Sequence, residues 1–193
     1  RKPAVYRLRN TRESVTEVRN GWLERSNNDL LIWEHYVFTH RHFRGPVYFP
    51  HAISRGLKSL KGDCIGELVE LPFGPWEVRH HGLHAPGFNH LNVYVTARLY
   101  WDADRDVDAL LEEYYNKFYG PAAKEMKAFI GYAEANWHDL REGRRVYKEL
   151  DKQKVQRVVA LLEKAEKAAP SESVYAKRIA LLTDYMAPMK EQA

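Results

Sequence analysis

Leu30-Leu31-Ile32-Trp33-Glu34-His35-Tyr36 decides how this chain is read. Four consecutive apolar residues follow the turn-forming Asn27-Asn28-Asp29, and a carboxylate and a histidine come directly after them. A short unbroken apolar run bounded by turn residues predicts a strand buried on both sides, as in a parallel sheet. Upstream, Val15, Val18, Trp22 and Leu23 fall near one face and predict a helix over 14–26. Downstream, a loop over 37–50 carries His40 and His42, and Ile53, Leu57 and Leu60 predict a short helix over 51–60 that stops at Gly62. A second strand is predicted over 64–71, ended by Pro72-Phe73-Gly74-Pro75. Helix, strand, loop, helix, strand is the rhythm of β/α units, for which a right-handed parallel crossover is the default.

Beyond a second loop carrying Trp76, His80, His81 and His84, the pattern becomes helical. Helices are predicted over 91–101, 104–119, 122–140 and 152–169, with a last one capped by Ser171 and showing Val174, Ile179 and Leu182 on its apolar face. The tyrosines and tryptophans of these helices (Tyr94, Trp101, Tyr114, Tyr115, Tyr119, Trp137) stand at helical spacing, the mark of core residues.

Totals exclude several classes. Net charge is +4, but Lys and Arg are scattered among nearly as many acids, so no basic stripe suggests nucleic acid. No apolar run approaches the roughly 20 residues that cross a bilayer, so no membrane contact is expected. Cys64 is the single cysteine, which rules out an internal disulfide and a cysteine-based zinc site; its apolar setting predicts a small buried hydrophobe. The chain opens on Arg1-Lys2-Pro3 with no initiator Met, and is read as a fragment of a longer polypeptide.

Chemistry, if present, concentrates between Asp29 and His90, which holds eight of the nine histidines. Functional side chains of α/β sheets sit where strands give way to loops. Glu34 follows the first predicted strand and Glu70 closes the second, and paired carboxylates are what glycosidic-bond hydrolysis requires. Trp33, Tyr36 and Trp76 offer flat faces for sugar rings, and His35, His40, His42, His80 and His81 offer partners for hydroxyls. Glu67 lies inside the second strand, on the face opposite Glu70 by strand alternation. The spacings His40-x-His42 and His80-His81-x-x-His84 invite a metal reading, but no carboxylate stands at a metal-binding spacing beside them, and no metal is expected. No Gly-x-Ser-x-Gly elbow and no Gly-rich phosphate loop occurs, and no cofactor is expected.

The block Leu91-Asn92-Val93-Tyr94-Val95-Thr96-Ala97-Arg98-Leu99-Tyr100-Trp101-Asp102-Ala103-Asp104-Arg105-Asp106-Val107-Asp108, with Tyr114-Tyr115 and Phe118-Tyr119-Gly120-Pro121-Ala122-Ala123, resembles the signature of domain-of-unknown-function family 4838. Trp22 through Leu31-Ile32-Trp33-Glu34-His35-Tyr36, and Gly66-Glu67-Leu68-Val69-Glu70, resemble two of its strand motifs, although many members have Asp directly before the Tyr. The resemblance spans about 14–140. It implies an α/β fold: the C-terminal portion of a (β/α)8 TIM-type barrel followed by a mostly helical tail. By that implication residues 1–90 are the last β/α units, 91–141 the closing helices and 142–193 a helical hairpin, with the N-terminal part of the barrel as the missing partner. It also implies a bacterial, secreted or periplasmic protein grouped with glycoside hydrolases.

The expected function is therefore hydrolysis of O-glycosidic bonds in a polysaccharide or oligosaccharide. Glu70 and Glu34 are the catalytic candidates, and Trp33, His35, Tyr36, His40, His42, Trp76, His80 and His81 the substrate-binding ones. A non-catalytic glycan-binding barrel and a helical interaction module remain the alternatives, because barrel hydrolases of this kind carry their acid/base pair on middle strands that this chain does not contain.

Overall fold

A computed structural model of the chain describes residues 12–26, 30–35, 46–70, 84–136 and 152–190, with the side chains of all but 12–16, 35, 70, 84–88 and 188–190. The elements are α1 (Arg12–Ser26), β1 (Leu30–His35), α2 (Pro50–Leu60), β2 (Cys64–Glu70), α3 (His84–Trp101), α4 (Val107–Tyr119), a 3-10 turn (Gly120–Ala122), α5 (Ala123–Asn136), α6 (Lys152–Ala168) and α7 (Val174–Lys190). The chain divides into two compact units. One comprises 1–34 with 59–70, the other 35–58 with 71–193.

In the first unit, β1 and β2 form a two-stranded parallel sheet. Gly66 lies beside Leu31, whose Cδ1 is 3.9 Å from where a Cβ on Gly66 would stand, and the Gly66 φ of 157 is one that side-chain-bearing residues avoid. Both predicted strands exist and run in the predicted sense, but β1 is not buried on both sides: Leu31 is 60% exposed and Trp33 65% exposed. Ile65 and Leu68 of β2 are exposed as well, and so are Val18 and Trp22, the residues that predicted an apolar face on α1. Cys64 is half-buried, its thiol donating to the Leu60 carbonyl at 3.6 Å, rather than fully buried.

The expected barrel portion is overturned. The described residues are overwhelmingly helical, with two parallel strands in one small sheet and no (β/α)8 segment. The physical reason lies in the apolar period. From Leu91 on, buried residues recur every three or four positions (Leu91, Val95, Leu99; Met126, Phe129, Ile130, Ala133), so these helices bury stripes against one another. Barrel helices would instead bury them against strands, and two strands have no means of closing on themselves.

The second unit is a helical bundle. Helix α5 packs on α6, α6 on α7, α7 on α3 and α4 on α5. Its core includes Leu110 and Leu111 of α4, Met126, Phe129 and Ile130 of α5, Val158 and Leu162 of α6, and Ile179, Leu182 and Met186 of α7. Asp106 caps α4, its carboxylate accepting from the Asp108 and Ala109 amides at 2.9 and 3.3 Å. The last helix is capped by Ser173, whose hydroxyl accepts from the Ala176 amide at 3.1 Å, rather than by Ser171. Between α4 and α5, Gly120 takes φ 52, and a Cβ there would come within 2.6 Å of the Tyr175 ring, so only glycine fits.

The irregular segment 46–49 is fastened to α3 by Asn92. The Asn92 amide nitrogen donates to the Val47 carbonyl at 3.0 Å, and its oxygen accepts from the Phe49 amide at 3.1 Å. One buried side chain thus satisfies both a donor and an acceptor of a segment with no strand partner of its own. Tyr48, fully buried between these two bonds, meets Phe129 edge to face at 6.1 Å.

Candidate functional site

Parallel strands share their direction, so both C-terminal ends lie at one edge of the sheet. Glu34 is the penultimate residue of β1 and Glu70 the last of β2, and the pairing therefore brings the two backbone positions to that same edge. The Glu34 side chain is exposed there. Trp33 presents a largely exposed indole, but successive strand residues point to opposite faces, so Trp33 and Glu34 do not share one. Trp33 instead shares its face with Leu31. His35 ends β1. Tyr36, His40, His42, Trp76, His80 and His81 lie outside the described residues. Elsewhere in the same unit, Val18, Gly21, Trp22 and Arg25 line an open groove along α1, where the Arg25 guanidinium folds back to donate to the Gly21 carbonyl at 2.7 Å.

Two histidines of the Asp29–His90 stretch do have described surroundings, both in the helical unit. The His90 ring stacks on Phe118 at 4.5 Å, and its Nδ1 is 3.2 Å from the Tyr114 hydroxyl. Burial, helped by the Arg178 charge, pushes the His90 pKa down. Arg178 covers the neighbourhood of Phe118, its guanidinium 4.2 Å from the ring centroid and its Nη1 donating to the Phe118 carbonyl at 2.7 Å. Behind them, Tyr114 and Tyr119 are buried core residues with raised hydroxyl pKa values, that of Tyr119 pushed up to about 12 chiefly by desolvation. Trp101, expected in that core, is 94% exposed at the end of α3.

The other is His51, in the first turn of α2. Its Nδ1 lies 2.8 Å from Glu134 Oε2 on α5 and its Nε2 3.2 Å from Asp108 Oδ1 on α4, while its backbone amide donates to Glu134 Oε1 at 3.1 Å. Sequence reasoning counted His51 among many histidines and singled out neither carboxylate. No local signal could have joined them, because the partners stand 57 and 83 residues away in the chain. Among the described residues, no group of three or more His, Cys, Asp or Glu has a geometry able to hold a metal ion.

A family model described as a domain of unknown function (DUF4838) matches residues 7–131, which include α1 through α4, the sheet and most of α5. No curated protein and no solved structure matches the chain.

Proposed function

On the premise that this chain belongs to the DUF4838 family, we propose that it acts on carbohydrate, as part of a glycoside hydrolase cleaving O-glycosidic bonds of a polysaccharide or oligosaccharide. The observation that carries the reading is the shared sheet edge: parallel pairing brings two glutamates, 36 positions apart in sequence, to the ends of neighbouring strands. In the proposed reaction one carboxyl protonates the leaving oxygen and the other acts as nucleophile or activates water. A secreted or periplasmic setting, where polysaccharides are met, accompanies this reading; no described helix is long and apolar enough to cross a membrane.

Hydrolysis of a glycan panel by the full chain, with Glu70→Gln and Glu34→Gln beside it, tests the proposal. Loss of a general acid or base lowers turnover by about 10²–10⁴-fold. Unchanged turnover in both variants removes the catalytic role. A second reading, glycan binding without hydrolysis, is favoured by one specific feature. Trp33 lies on the face away from Glu34, so a sugar stacked on it is not presented to that carboxylate. Under that reading Trp33→Ala abolishes binding in a protein that turns over no glycan.

A further inference from the structure

We propose that His51 is a proton-operated clasp fastening the first turn of α2 to α4 and α5 through Asp108 and Glu134. Each ring nitrogen faces a carboxylate oxygen, at 3.2 and 2.8 Å, on a different helix. An ionised carboxylate only accepts, and a neutral imidazole donates from one nitrogen only. The arrangement is thus fully bonded when His51 is an imidazolium and loses one bond when it is not. A cation in the first turn of a helix opposes the backbone dipole, so its presence at that place depends on the two acids. The same segment is already anchored one turn earlier by Asn92, and the clasp completes that anchorage.

Among the described residues, the charged groups facing His51 are Asp108 from α4 and Glu134 from α5. The Tyr115 hydroxyl of α4 feels the charges of both, and of Glu112 on its own helix. On α2 itself, Arg55 follows one turn on and is exposed. Burial by itself lowers the His51 pKa, but the hydrogen bonds to Glu134 and Asp108 outweigh it, and the net direction is upward from 6.5. The sign follows from that direction. A raised histidine pKa contributes stability that is fully present below the unfolded value and is lost as pH rises through the folded one.

The two partners differ in a way that orders the release. Glu134 is 19% exposed and Asp108 82%. When the proton leaves, Nδ1–H stays on the shorter, more buried bond to Glu134, and the Nε2 lone pair faces Asp108, which turns to water. The tie to α4 therefore opens first, while the tie to α5 persists.

Titration of the His51 ring by NMR in the full chain tests this, in the wild type, Asp108→Asn and Glu134→Gln. The expected result is a wild-type pKa above 6.5 that falls in both variants, accompanied by chemical shift changes on α4 at the same midpoint. A wild-type value at or below 6.5, or a value unmoved by Asp108→Asn, overturns the clasp. Asp108 is exposed enough that its variant folds even if Glu134→Gln does not. Urea unfolding of His51→Gln gives an independent reading: its stability deficit relative to wild type shrinks as pH rises through the His51 midpoint, and a constant deficit overturns the proposal.

Discussion

The sheet-bearing unit and the helical unit obey opposite burial rules. All the fully buried apolar residues among those described belong to the helical unit, while Val18, Trp22, Leu31, Trp33, Ile65 and Leu68 of the other are exposed. At roughly 25 cal/mol per Å² of apolar surface removed from water, the helical unit draws its stability from its own core. Among its described residues, the sheet-bearing unit has backbone pairing and local contacts, with no fully buried apolar side chain behind them. A two-stranded sheet is marginal by itself in water. The difference teaches that the two strand-end glutamates stand in the unit with no fully buried apolar residue among those described, and not in the unit whose core holds the fold together.

Truncating each side sharpens that contrast most. Phe129→Ala, in the centre of α5, is expected to destabilise the chain by about 3–5 kcal/mol, while Trp33→Ala shifts stability by no more than ~0.5 kcal/mol. Urea unfolding of the two variants measures both, and comparable losses would break the comparison. A smaller effect is expected at the join between segment 46–49 and α3. Asn92→Ala strands the Phe49 amide and the Val47 carbonyl, at a cost of about 2–3 kcal/mol, with faster amide exchange at Phe49 as the local sign. Smallest within the helical unit is Asp106→Ala, which removes the cap of α4 and costs about 1 kcal/mol, seen as a lower melting temperature with the core signals unchanged.

Much of the element order was legible. A continuous apolar run after turn residues marked β1, the Pro72-Phe73-Gly74-Pro75 stop marked the end of β2, and the intervening helix with its Gly62 stop implied their parallel sense. Helical spacing marked α4 to α7 to within a few residues at each end. The start of α3 was missed, because His84-Ala85-Pro86-Gly87 has the composition of a loop yet is helical in the fold. The barrel expectation, which rested on the family resemblance, was overturned, and the expectation of a strand buried on both sides failed at another level. Apolar runs state that a segment prefers to be covered, not that anything covers it, and Leu31 and Trp33 stayed exposed.

The candidate site divides along the same line. That Glu34 and Glu70 terminate strands could be read from position. That Trp33 and Glu34 take opposite faces followed from the pleat of a strand once β1 was observed to be regular through His35. The His51, Asp108 and Glu134 cluster could not be read at all, since histidine and acid frequencies say nothing about which pairs meet across a bundle.

By itself the sequence determined the local elements, the parallel sense of the two strands and the gathering of polar and aromatic residues before His90. These depend on short-range preferences that each segment carries within itself: apolar period, turn chemistry and capping. Only the tertiary structure decided that the helices bury one another while Leu31 and Trp33 of the sheet stay exposed, and that His51 sits between two carboxylates. Those outcomes depend on packing and charge between segments far apart in the chain, where a residue's role is set by what arrives beside it.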